Sequence, residues 1–172
     1  MDRDELLERY ANGERNFAGV ELGGSISKGI FINLTNTDLR GINLSGANLE
    51  RVNFTLSNLS GARLFGVCLS YSCSVRTNFT GADLRYATVS HSNLREANFT
   101  SANMQGIDLT LSSLEGTIWY KNNLSSANLT WANLLGARGW DGSEGGGDRY
   151  SLLFWNTLMP NGNRIEGPER HH

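Results

Sequence analysis

Residues 34–69 read LTNTD LRGIN LSGAN LERVN FTLSN LSGAR LFGVC L, and the spacing of their apolar residues decides the fold. Leu34, Leu39, Leu44, Leu49, Phe54, Leu59, Leu64 and Leu69 stand five apart. The series continues to Leu134, and of its 21 positions only Ser74 and Trp119 are neither Leu, Phe, Met nor Val. Two residues before each centre stands a small or β-branched residue, such as Ala47, Val52, Ala82 or Ala127. One residue before it stands Asn or Asp in most repeats, as at Asn43, Asn53, Asp83 and Asn128. Gly recurs two residues after it, at Gly41, Gly61, Gly81 and Gly106 among others.

A period of five matches neither the 3.6 of a helix nor the 2 of a strand. A repeat this short cannot bury its own apolar residue, so it must stack on copies of itself. If each pentad forms one side and one corner of a coil, four pentads close a square. The centre and the small residue before it then point inward and fill a narrow axis. The residue after each centre is expected to be largely exposed. Gly two after the centre marks a corner that wants φ > 0, and stacked Asn side chains can form amide ladders. The expected coil takes 20 residues, so that residue n stacks on n + 20.

The pattern resembles the pentapeptide repeat family, A(N/D)LXX, over residues 32–138 without a break in register. What the resemblance implies is an all-β solenoid, a right-handed quadrilateral β-helix. The opening ELLERYANGERNF (5–17) resembles the lead-in of family members from photosynthetic bacteria, and YSLLFWNTLMP (150–160) resembles their C-terminal capping segment.

This divides the chain into an N-terminal cap (1–16), the repeat with an irregular first coil (17–138), a Gly-rich loop with C-terminal cap (139–160) and a flexible tail (161–172). Residues 3–11 form a short helix, with Asp2 as N-cap, Glu5 completing a capping box and Gly13 as stop. Phe17 and Leu22 are centres in an earlier phase. Two residues too many lie between Leu22 and Leu34, so 23–31 is expected to bulge.

The 39% hydrophobic content and absence of an eighteen-residue apolar run argue for a soluble chain with no transmembrane helix. The N-terminus lacks the basic and apolar regions of a signal peptide, so a cytoplasmic location is expected. Eight Asn-X-Ser/Thr sequons are by-products of the repeat. Cys68 and Cys73 both precede centres on successive sides, too far apart for a disulfide and without zinc spacing. His91 has no nucleophile at a fixed partner position. No phosphate-cradling loop is present. No catalytic residue, cofactor or metal ligand is therefore expected. Within the repeat, Ser74 replaces an inward Leu, Trp119 extends an aromatic stack with Phe79 and Phe99, and Asn122 is a buried amide that needs a partner.

A non-enzymatic interaction scaffold fits best. Some family members act as DNA mimics on gyrase, but mimicry needs an acidic face. Residues 32–138 carry eight basic and six acidic side chains, against a whole-chain net charge of −2. The arginines are spread over several sides, so no nucleic-acid partner is expected either. The candidate interaction surface is one corner, where Arg51, Tyr71, His91, Leu111 and Trp131 would stack. An alternative is that Leu152, Phe154 and Trp155 fold back over it. The expected partner is an unidentified protein, and the chain itself is expected to be a monomer or weak homodimer.

Overall fold

The computed structural model describes residues 1–22, 32–139 and 154–166. Its regular elements are α1 (Arg3–Ala11), β1 (Thr157–Leu158) and β2 (Arg164–Ile165). The repeat itself forms isolated parallel bridges, one per side, always at the residue before a centre. One run of them links Asn43, Arg63, Asp83, Asn103 and Asn123, so each coil takes 20 residues and four pentads. One bridged residue per side is too short to count as a strand. The expected all-β character thus resides in a ladder of single bridges.

Three backbone hydrogen bonds tie each side to the next coil. The Leu44 N–H donates to the Arg63 carbonyl, Gly46 to Phe65, and Arg63 back to Ile42, each at 2.8 Å. The centres stack in four buried columns, for example Leu44, Leu64, Leu84, Met104 and Leu124. The small positions, such as Ala47, Val52 and Ala62, are equally buried. Another column holds Phe79, Phe99 and Trp119, with ring centroids 5.3 and 5.1 Å apart, as expected of that stack. Asn122 finds its partner, its Nδ2 donating to the Phe99 carbonyl.

All 21 residues two after a centre, from Asn36 to Gly136, have φ between 54° and 70°. The Ile42 N–H donates to the Leu39 carbonyl across such a corner at 3.2 Å. Positive φ at the third residue is what a type II turn demands. Only eight of the 21 are Gly. The expected exposure of the residue after the centre holds only in part: Arg40, Phe65, Arg95, Tyr120 and Leu135 are exposed, whereas in the other repeats that residue is half-buried or, at Ser70, buried, and the corner residue is more often the exposed one. Ser45, Thr55, Thr80 and Thr100 are half-buried. The reason is a local bond: the Asn78 Oδ1 accepts the Thr80 N–H at 3.0 Å and its hydroxyl at 2.6 Å. This folds both side chains against the wall. The same bond limits the expected amide ladder. Asn43 to Asn16 (2.9 Å) and Asn78 to Asn58 (3.3 Å) are its inter-coil contacts among the described residues.

At the N-terminal end, α1 lies across the first coil. Asp2 caps it by accepting the Glu5 N–H at 2.9 Å, while the Glu5 carboxylate takes Arg9 at 3.2 Å. Leu6 is fully buried, Arg3 Nε donates to the Asn33 carbonyl, and the Tyr10 hydroxyl donates to that of Arg40. Gly13, at φ 94°, ends the helix as expected. Asn16 bridges Asn43 and Glu21 bridges Asn48, an offset of 27 in place of 20. Leu22 and Leu34 therefore lie on consecutive sides, and the insertion between them is seven residues, not two. The expected bulge at 23–31 lies outside the described residues.

At the C-terminal end the stacking resumes with an offset of 25, where Leu158 bridges Asn133. Phe154 is buried in the position of a centre above Leu129, and Thr157 in that of a small inward residue. The Thr157 hydroxyl donates to the Leu129 carbonyl at 2.6 Å. The N–H groups of Trp131, Leu134 and Gly136 find acceptors on Trp155, Leu158 and Pro160. β2 then pairs antiparallel with β1. Part of the expected flexible tail from 161 is ordered: residues 161–163 belong to the turn and Arg164–Ile165 form the far arm of a hairpin. The expected Gly-rich loop lies outside the described residues. Among the described residues, no helix is long and apolar enough to cross a membrane.

Candidate functional site

The twenty-residue coil places Arg51, Tyr71, His91, Leu111 and Trp131 one above another along a single corner, each with φ between 56° and 62°. Tyr71 and His91 stack almost parallel, with centroids 4.9 Å apart and planes 9° from each other. The Arg51 guanidinium lies 5.3 Å from the Tyr71 ring centroid, with Glu50 3.8 Å from its Nε. Tyr71, Leu111 and Trp131 are 47–49% exposed. Phe154 turns inward and Trp155 is itself exposed, so neither covers the column; Leu152 lies outside the described residues.

The other three corners differ in composition. One runs Gly41, Gly61, Gly81, Ser101, Lys121; another Gly46, Gly66, Tyr86, Gly106, Ser126. The third ends in Gly116 and Gly136. Among the described residues, only the corner of Tyr71 holds no Gly. A side chain in the left-handed region costs about 1 kcal/mol or more relative to Gly, so this corner carries five strained residues. Exposed apolar side chains also stand at Leu56, Tyr120 and Leu135, and Phe65 and Tyr86 form an edge-to-face pair with centroids 5.6 Å apart. Tyr86 lies over Gly106 of the same corner one coil on, where a Cβ would come within 2.7 Å of its ring.

Cys68 and Cys73 are free, half-buried thiols, and Cys73 Sγ lies 3.3 Å from Thr55 Oγ1. Among the described residues no group of His, Cys, Asp and Glu could hold a metal ion. Asp38, Asp83 and Glu96 are held below the usual carboxylate range, each chiefly by hydrogen bonds from an arginine: Arg40, Arg85 and Arg76. A shallow groove of about 550 Å³ is lined by Arg15, Asn16, Gly41, Asn43, Gly61 and Arg63.

The model for pentapeptide repeats matches residues 32–70 and 77–116 in eight copies. A pentapeptide repeat protein of the Arabidopsis thaliana thylakoid lumen is 31% identical over 69% of this chain and 77% of its own, with a TM-score of 0.33. The chain belongs to the pentapeptide repeat family. A pentapeptide repeat protein of Nostoc PCC 7120 is 32% identical over 66% of this chain and 82% of its own, with a TM-score of 0.35. QnrB1, a plasmid-mediated fluoroquinolone resistance protein, is 19% identical over 85% of this chain and 76% of its own, with a TM-score of 0.46. No curated protein sequence matches significantly. The unmatched gap between the two pentapeptide stretches, 71–76, contains Ser74, where the repeat lacks its large centre.

The pentapeptide pattern itself contained a signal that the sequence reading missed. Phe154 and Met159 stand in phase with the series from Leu34, with Thr157 two before Met159 in the small position. The phase survives because the C-terminal insertion is five residues, a whole pentad, as the offset of 25 shows.

Proposed function

We propose that this pentapeptide repeat protein is a non-enzymatic scaffold that binds a protein partner through the corner column Arg51, Tyr71, His91, Leu111 and Trp131. The carrying observation is the absence of Gly from that corner alone among the described residues, although all five residues adopt the conformation Gly favours. Strained backbone persists where the surrounding structure enforces it and tends to cluster at functional sites. Here it displays Tyr71, Trp131 and Arg51, types favoured in contact surfaces, together with His91 and Leu111. In this reading the coils form a right-handed quadrilateral β-helix, α1 and the β1–β2 hairpin close its ends, and a reducing, cytoplasmic setting suits the two free thiols.

Capture of partners from a native lysate tests the proposal. Replacing Tyr71, Leu111 and Trp131 together by Ser should abolish capture while leaving the thermal transition in place. Undiminished capture by that variant would end it.

A DNA mimic acting on gyrase, the role of some members of the family, is the second reading. The excess of basic over acidic side chains in residues 32–138 disfavours it, because a phosphate mimic needs ordered negative charge. A supercoiling assay with purified gyrase decides: no inhibition or protection is expected.

A further inference from the structure

The order of residues along the exposed corner has a symmetry of its own. His91 is the middle of the five residues from Arg51 to Trp131, and Asn156, at φ 50°, continues the corner above Trp131. Arg51 and Trp131 each stand two coils from it, and Tyr71 and Leu111 each stand one coil from it. We infer that the column is self-complementary and that its occupant is a second copy of this chain, docked antiparallel about a two-fold axis through His91. This rests on the column being a contact surface, as proposed above.

Antiparallel docking sets each Arg51 against the Trp131 of the other copy, a cation facing the aromatic ring it prefers. Each Tyr71 meets Leu111 of the other copy, and the two His91 rings meet at the axis. An isologous interface requires this reciprocity. Parallel docking would instead set Arg51 against Arg51. The flanks permit the approach. Ser70, Ser90, Thr110 and Thr130 line one side of the column, and the neutral stack from Asn53 to Asn133 lines the other. The charges beside the column are Arg51 and its neighbour Glu50, 3.8 Å apart, and Asp108, which accepts the N–H and hydroxyl of Thr110. Several charges elsewhere on the coils are paired, as Arg85 is with Asp83 at 2.7 Å and Arg76 with Glu96 at 2.7 Å. A charge-poor centre with a polar rim is the composition of an interface. The contact is small. Its five residues, set four steps of about 4.8 Å apart, span roughly 20 Å, one side chain wide, well under the roughly 800 Å² per partner of a stable complex. The dimer is therefore weak and concentration-dependent.

Sedimentation equilibrium of the full chain tests this through a charge exchange. Arg51→Glu and Trp131→Arg each remove the cation–ring contact, and the second sets arginine against arginine; each should weaken the dimer at least tenfold. The double variant should restore it, since antiparallel docking then sets Glu at 51 against Arg at 131. Both residue types already stand at left-handed corners in this chain, as Glu96 and Arg76 do, and a thermal melt confirms that each variant folds. A wild-type chain that stays monomeric at millimolar concentration overturns the inference, as does a double variant no better than the singles. Lysate capture with the Tyr71, Leu111 and Trp131 triple variant separates the two ideas. Lost capture of another protein by that variant, beside a monomeric wild type, keeps the contact surface and rejects the second copy.

Discussion

The Oγ of Ser74 is fully buried and has no hydrogen-bond partner among the described residues, between Phe54 in the coil before and Leu94 in the coil after. An unmade hydrogen bond on a buried hydroxyl costs about 1–3 kcal/mol. Ser74→Ala removes the hydroxyl and keeps the backbone, so the variant should be more stable by about 1 kcal/mol, read as a rise of a few degrees in melting temperature. A lower melting temperature would mean that the hydroxyl has a role in the folded chain. The departure at Ser74 was legible in the sequence because it broke a period. The lack of a partner was not, because it depends on which carbonyls the neighbouring coils leave free. Likewise the sequence placed Asn before the centre and Ser or Thr after it. The bond joining Asn98 Oδ1 to both the N–H (3.0 Å) and hydroxyl (2.7 Å) of Thr100 explains why they recur together.

Each side of a coil is held by backbone bonds within the wall and by arginine–carboxylate pairs on its surface. Asp83 accepts two bonds from Arg85, at 2.8 and 2.7 Å, and Glu96 accepts Arg76 at 2.7 Å. The carboxyls of Glu14, Asp38, Asp83 and Glu96 are all lowered by their arginine partners. A folded-state value below the unfolded one stabilises the chain above the ordinary carboxylate range of about 4, and that stabilisation drains away as pH falls through the lowered values. These pairs are largely exposed, so each contributes little and salt weakens it. The melting temperature should fall between pH 5 and pH 3, and Asp83→Asn should flatten part of that fall. A melting temperature constant over this interval would contradict the assignment.

The ends were the less legible elements. Twelve residues separate Leu22 from Leu34, but spacing alone does not say how many sides they span. The bridge from Glu21 to Asn48 settles it. The C-terminal segment, expected to cover or flank the last coil, stacks on it as further sides of the wall, since Phe154 and Thr157 occupy inward positions. Truncation after Gly139 should strip the acceptors from Trp131, Leu134 and Gly136 and leave an open edge. Light scattering should then show assemblies larger than a dimer. A truncated chain that remains monomeric with an unchanged melting temperature would show that the hairpin closes nothing.

For the whole molecule, everything said of the column depends on residue n lying beside residue n + 20. The period of five made the buried side of the chain readable, because burial selects residue type at every turn. The outer surface was readable only in outline: the register predicted which residues share a corner, but not the near-parallel stack of Tyr71 on His91. Rings 4.9 Å apart bring their protons close enough for strong nuclear Overhauser effects. The direct test is a solution spectrum of the full chain with selective labelling. Cross-peaks are predicted between the Tyr71 and His91 ring protons, with Leu111 methyl to Trp131 indole cross-peaks one coil further on. A folded chain lacking both, with His91 showing contacts to residues from a different offset, would contradict the twenty-residue coil and the column with it.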